Sequence, residues 1–264
     1  VIFKQYRFER LGQASYLFGC SRAKEAFVVD PIADLGVDFY VLEAADFGVA
    51  IVQVLETHVH ADFISCAREL AQVAGAEHRL FHTAPVRYRF APLMEHQTLD
   101  AGRVRLQTLA TPGHTPEHAS YLVTDRTRSH EPWFVLTGDS LFVGDVGRPD
   151  LLIGDQALDV FDEAERARLQ YRSIRNTLFA LPDHVEVYPT HYGGSACGGI
   201  NLSGKAVSTI AFERRHNLAM QEPDAETFAR FVKATSRPFP ADYARIKSYN
   251  LGLITKPELE AAGV

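Results

Sequence analysis

Cysteine is scarce in this chain: Cys20, Cys66 and Cys197 stand far apart among 264 residues. An odd, widely spaced set supplies no disulfide framework and favours a reducing compartment. Long apolar runs are missing too. No window approaches the roughly 18 uninterrupted apolar residues that span a bilayer. The first ten residues carry Lys4, Arg7, Glu9 and Arg10 and lack the apolar stretch of a secretory signal. Basic excess is absent: 27 Lys and Arg against 33 Asp and Glu leave a net charge of −6, a poor basis for general phosphate-backbone binding. No repeat or low-complexity tract interrupts the chain. These absences point to a soluble cytoplasmic protein with no nucleic-acid and no membrane partner. The 46% of hydrophobic residues are enough to build a core, which excludes disorder as the main state.

The apolar pattern predicts strands over 26–32, 49–55, 79–82, 104–109, 119–124, 133–136 and 185–188, several of them short β-branched runs suited to burial on both faces. Helical spacing is predicted over 63–73, with Gly75 as the stop, and over 157–181, ended by Pro182. A Gly-rich loop over 193–199 precedes further helical patterns. Reactive residues follow strand ends, where sheet-based folds place active sites.

Eleven histidines are present. His78, His82, His96, His130, His184 and His216 are scattered and read as surface or satisfied core residues. The others of interest follow an order: Thr57-His58-Val59-His60-Ala61-Asp62, then Thr111-Pro112-Gly113-His114-Thr115, then Gly138-Asp139, then His191. An H-x-H pair on an extended segment presents both rings on one face. Alone it is weak evidence; joined to later G-H and G-D loops it points to imidazoles and carboxylates converging on a metal.

This order resembles the metallo-β-lactamase fold from about residue 11 to 191. Within that fold the chain resembles the persulfide dioxygenases, through THVHADF (57–63), TPGHT (111–115), GDSLFVGDVGRPD (138–150) and SACG (195–198). The bacterial type that carries an added rhodanese domain is the most similar; no Cys-centred rhodanese loop is found, so that domain is expected to be absent. The resemblance implies an α/β architecture, an αββα sandwich of two mixed sheets flanked by helices. It is expected to form one catalytic domain over 1–264, with a helical extension from about 200. It further implies that His58, His114 and Asp139 are the catalytic metal ligands of one Fe(II) per chain, with His60, Asp62 and His191 around them. In binuclear relatives such as glyoxalase II the residue after the motif Asp is a ligating histidine. Here it is Phe63, which cannot ligate, so one metal is the simpler expectation.

The implied reaction takes R–S–SH, O2 and water to R–SH and sulfite, with glutathione as carrier, in sulfide detoxification. A homodimer and a functional link to a separate rhodanese are compatible with it. Candidate substrate contacts each have a plainer alternative. Arg148 can meet a carrier carboxylate or pair with Asp145 or Asp150. Tyr192 can donate its hydroxyl or pack. Cys197 can approach the substrate sulfur or lie inert, as Cys20 and Cys66 are expected to. Arg214 and Arg215 can reach carboxylates or face solvent. The rival reading is a zinc thioester hydrolase of the glyoxalase II type; the third is a metal-binding scaffold.

Overall fold

The structure is a computed structural model that describes residues 1–150, 162–238 and 240–261. Two six-stranded mixed sheets face each other. The first runs in spatial order β1 (Ile2–Phe8), β2 (Gln13–Cys20), β3 (Glu25–Val29), β4 (Ala50–Leu55), β5 (Glu77–Phe81), β6 (Ala91–Leu93). The second contains β7 (Thr98–Ala101), β8 (Val104–Ala110), β9 (Ala119–Asp125), β10 (Phe134–Gly138), β11 (Glu186–Pro189) and β12 (Ser208–Thr209), with β12 and β7 at its edges. Strands β3 to β6 are parallel neighbours, as are β10 and β11; the other pairs are antiparallel.

Side-chain alternation explains why the strands read as continuous apolar runs. Phe18, Phe27, Val29, Leu106, Tyr121, Phe134 and Leu136 point between the sheets. Leu17, Val28 and Val54 point the other way, onto α1 (Val37–Asp46) and α2 (Ala67–Ala74). On the far side Val135 and Val187 meet α3 (Glu163–Ser173), α4 (Ile210–His216) and α5 (Ala225–Thr235). Each large side chain buried this way contributes roughly 1.5–3 kcal/mol, so both faces of both sheets hold the layers together. Helices α6 (Tyr243–Asn250) and α7 (Lys256–Ala261) complete the described chain.

Two predicted helices differ from the observed ones. The first begins at Ala67, not at 63, because residues 63–65 are held in extended contacts: Ala33 N–H donates to Ile64 O, and Asn250 Nδ2 donates to Phe63 O. It ends as expected, with Gly75 in the left-handed conformation at φ 65°. Of the predicted 157–181 helix, 157–161 lie outside the described residues. Asp162 caps the rest through Glu165 N–H, and after Ser173 the helix widens into a π-helical turn over Ile174–Leu178. The segment after 200 packs on the rest of the fold. Strand β12 pairs with β11, α5 packs on α3, and α6 reaches the histidine loop through Asn250.

Candidate metal centre

The parallel pairs bring chemistry to one end of the sandwich. Strands β3 and β4 run side by side, so Asp30 and Thr57 emerge together. Asp30, fully buried with a positive φ of 51°, accepts four hydrogen bonds: Thr57 N–H at 2.8 Å, Thr57 Oγ1 at 2.9 Å, His60 Nε2 at 3.0 Å and Thr190 Oγ1 at 2.7 Å. It ties the β3, β4 and β11 ends into one rigid rim. Because the Thr57 hydroxyl donates to Asp30, its oxygen accepts from His58 Nδ1–H at 3.0 Å. That leaves His58 Nε2 with a bare lone pair.

His114 follows β8, and its Nδ1–H donates to the Arg148 carbonyl at 2.7 Å, which again exposes Nε2. Asp139 follows β10. Its Oδ1 accepts from His191 Nδ1–H at 2.7 Å. Its Oδ2 is buried without a hydrogen-bond partner, 3.4 Å from His114 Nε2 and 3.9 Å from His58 Nε2. The three donor atoms lie within 4.8 Å of one another. Burial holds His58 far below its ordinary range and His114 down at about 4, so both rings are neutral at neutral pH. Burial works to raise the Asp139 carboxyl, but His191 and His114 outweigh it and keep it ionised. Two neutral imidazoles and an orphaned carboxylate oxygen make a site that fits a divalent metal.

The surrounding residues keep this set apart from the rest of the motif. His60 turns its Nε2 to Asp30, and its ring packs 4.2 Å from that of Phe63. Asp62 accepts from Gln13 Nε2 at 2.9 Å and lies 2.6 Å from His191 Nε2. Burial opposes charge on His191, yet Asp139 and Asp62 raise it well above its usual range. Cys197 Sγ groups with Asp62 and His191, again within 4.8 Å; burial pushes its thiol well up.

The other candidate contacts are placed differently. Arg148 touches the triad through its backbone carbonyl. Its guanidinium forms a two-pronged pair with Asp150 at 2.6 and 2.7 Å and donates to Ala196 O. The Tyr192 ring packs in the core between the sheets, with Arg7 over its face. Arg214 and Arg215 sit on α4. Arg214 is anchored to Asp183 and to the carbonyls of Phe179 and Leu181, at the start of β11, whereas His191 lies beyond its end. Arg215 is exposed on the same helix.

Sequence reasoning missed Asp30 and His118. His118 Nε2 accepts the Asp139 N–H at 3.0 Å while its Nδ1 meets Thr111 Oγ1 at 2.8 Å. The available signals were a carboxylate closing a buried strand and a second histidine four residues after His114. Gln170 was also missed; it donates to the Ser140 and Gly147 carbonyls and seats the Asp139 loop on α3.

Among solved structures, a metallo-β-lactamase from Staphylococcus aureus subsp. aureus COL is 32% identical, with a TM-score of 0.83 over 95% of this chain and 72% of that one. The chain belongs to the metallo-β-lactamase family. ETHE1 from Myxococcus xanthus is 28% identical, with a TM-score of 0.78 over 96% of this chain and 99% of that one. Mitochondrial persulfide dioxygenase ETHE1 of Bos taurus is 25% identical over 92% of this chain and 85% of its own length. A probable metallo-hydrolase of Burkholderia pseudomallei is 30% identical over 79% of this chain and 76% of its own. No protein-family model matches. The chain is thus a metallo-β-lactamase-fold enzyme related to the persulfide dioxygenases, with a histidine–aspartate candidate metal site.

Two predictions arise from the loop between Asp139 and Asp150. A Cβ on Gly147 would stand 1.9 Å from the Asp139 carbonyl oxygen and 3.0 Å from His114 Nδ1. Backbone cannot yield cheaply there, so Gly147→Ala is expected to destabilise by about 1–3 kcal/mol and to weaken metal binding. Gly204→Ala, which meets nothing within 4 Å, is the neutral control in thermal melts and metal titrations. The second concerns Asp145, whose carboxyl is pushed up to about 6 by burial despite hydrogen bonds from the Val146 and Asn201 amides. The folded state holds this proton to higher pH than the unfolded chain. Its contribution therefore falls as pH rises from about 4 to about 6, by roughly 3 kcal/mol at 1.4 kcal/mol per unit. Urea titrations across that window should show a flatter slope for Asp145→Asn.

Proposed function

We propose that the chain is a mononuclear iron(II) persulfide dioxygenase acting on a low-molecular-weight thiol persulfide, with glutathione as the carrier, in the cytoplasm. The observation that carries the reading is the donor set: two neutral imidazole nitrogens and the unpartnered Asp139 Oδ2. His58, His114 and Asp139 would hold the ion. Iron bound by two histidines and one carboxylate supplies open positions for O2 and a sulfur ligand. The similarity to ETHE1 proteins supports this chemistry.

The chain's own groups prepare the site. Thr57 and the Arg148 carbonyl fix the tautomers of His58 and His114, so no proton has to leave either ring before it ligates. His191 holds Asp139 Oδ1 and so keeps that carboxylate a one-oxygen donor. Phe63 and Phe142 flank His191 with apolar surface that excludes water. Cys197 is retained as a substrate-side group because it is a buried soft atom beside the Asp62–His191 pair. The overall change, R–S–SH with O2 and water giving R–SH and sulfite, calls for a supply of persulfide, for which a separate rhodanese is the proposed functional link.

The similarity to a probable metallo-hydrolase keeps a zinc thioester hydrolase as the second reading, with a metal-activated water attacking a carbonyl. Phe63 weighs against its two-metal form. Metal-free protein reloaded separately with iron and with zinc distinguishes the two. Iron alone should restore O2 consumption with glutathione persulfide. Thioester hydrolysis restored by zinc, with no O2 uptake after iron, would overturn the proposal.

A further inference from the structure

Cys197 and Tyr243 meet at the edge of the candidate metal centre. The Cys197 sulfur and the Tyr243 hydroxyl lie 3.5 Å apart, on residues separated by 46 positions in the chain. Cys197 is 1% exposed and Tyr243 5%. Ala61, Phe142 and Leu202 pack around the pair and shield it from water. Each partner is held from its own side. The Cys197 N–H donates to Ser195 Oγ, and its carbonyl accepts the Arg148 N–H. Tyr243 opens α6, whose far end is fixed where Asn250 donates to the His60 and Phe63 carbonyls. The same sulfur lies within 4.8 Å of the Asp62 and His191 donor atoms, and His191 donates to Asp139. A short chain of contacts therefore joins the pair to the centre.

The ordinary uses of a cysteine do not suit this place. Burial keeps the Cys197 thiol protonated, which makes it a poor nucleophile. Cys20 and Cys66 belong to other core clusters, so its sulfur meets a phenol and not a second sulfur. A phenol ring is readily oxidised, and its reactive carbons flank the one that bears the hydroxyl. We propose that Cys197 and Tyr243 become joined by a thioether between Cys197 Sγ and the ring carbon beside the Tyr243 hydroxyl, with O2 as the oxidant. The inference rests on the iron reading above for the activation of O2 at the neighbouring centre. The S–H bond and one ring C–H bond break, and one C–S bond forms. Two electrons and two protons pass to O2, which leaves as hydrogen peroxide. The contact already made brings the sulfur to the ring edge, so bonding needs only rotation of the two side chains. The sulfur stays beside the Asp62–His191 pair as a thioether. The link ties α6 to the loop that carries Cys197, and closing a 46-residue span stabilises the fold by restricting the unfolded chain.

The test uses full-length protein produced in anaerobically grown cells, loaded with iron(II) and divided, one half being exposed to air. The airless half should show the full intact mass and three reactive thiols after denaturation. The aerated half should be lighter by two hydrogen atoms, with one thiol lost and not restored by a thiol reductant. Peptide mapping should place the fused peptide at Cys197 and Tyr243, and its melting temperature should exceed that of the airless half. Tyr243→Phe and Cys197→Ser, both close in size to the parent residues, should keep their full masses in air. An unchanged mass, a loss reversed by reductant, oxygen added to Cys197 in place of the link, or a loss that persists in Tyr243→Phe would overturn the inference. O2 uptake with glutathione persulfide is recorded on the same samples. Turnover without the mass loss overturns the link and leaves the iron reading standing; the mass loss without turnover does the reverse.

Discussion

Asp139→Ala is expected to abolish tight iron binding and O2 uptake together. Its Oδ2 is one of three converging donor atoms and has no other partner, while its Oδ1 is one of two carboxylate oxygens flanking the His191 ring. Removing the side chain deletes a ligand and leaves His191 with Asp62 alone. The loss should exceed the roughly 10- to 100-fold that follows removal of a group merely supporting a ligand. His114→Ala should behave alike, since its Nε2 has no substitute nearby among the described residues. Metal analysis after desalting, run beside an oxygen electrode, reads both. Full iron occupancy with normal turnover in either variant would refute the assignment of the triad.

Asp30→Ala is expected to cause the largest loss of stability. Four donors lose their acceptor at once, in a position with no access to water. Breaking a buried charged network from one side typically costs about 3–5 kcal/mol, because each stranded donor keeps its desolvation penalty. The free Thr57 hydroxyl would also cease to fix the His58 tautomer, so metal affinity should fall along with the melting temperature. Asp30→Asn keeps the volume and one acceptor oxygen and should lose less on both counts. A melting temperature for Asp30→Ala within a degree or two of the parent protein would contradict the role given to this network.

The convergence of His58, His114 and Asp139 was legible in the sequence because each residue sits in a short motif that follows a strand. Strand direction then fixes which end of the sheet the motif occupies. The strands themselves were legible where both faces are buried, as in the run through Val28 and Val29. The rim that holds the triad was not, because its bonds join residues far apart in the chain. Asp30 and Thr190 are 160 positions apart, and Asn250 reaches back 190 positions to the His60 carbonyl. No local pattern reports such a pairing. The place of Arg214 was not legible either: β12 runs antiparallel to β11, so α4 begins near the start of β11 and carries the arginine to Asp183. Arg148 was ambiguous for a different reason: its backbone and its side chain do different things, and only the folded chain separates them.

The central claim, a one-iron enzyme that puts both atoms of O2 onto a persulfide sulfur, is tested most directly by metal and product analysis of the purified protein. Glutathione persulfide and a glutathione thioester would be supplied in parallel, with O2 uptake, sulfite and free thiol recorded. The expected result is about one iron per chain, one O2 consumed for each sulfite formed from the persulfide, and no thioester turnover. Zinc in place of iron, with thioester hydrolysis and no O2 uptake, would contradict it.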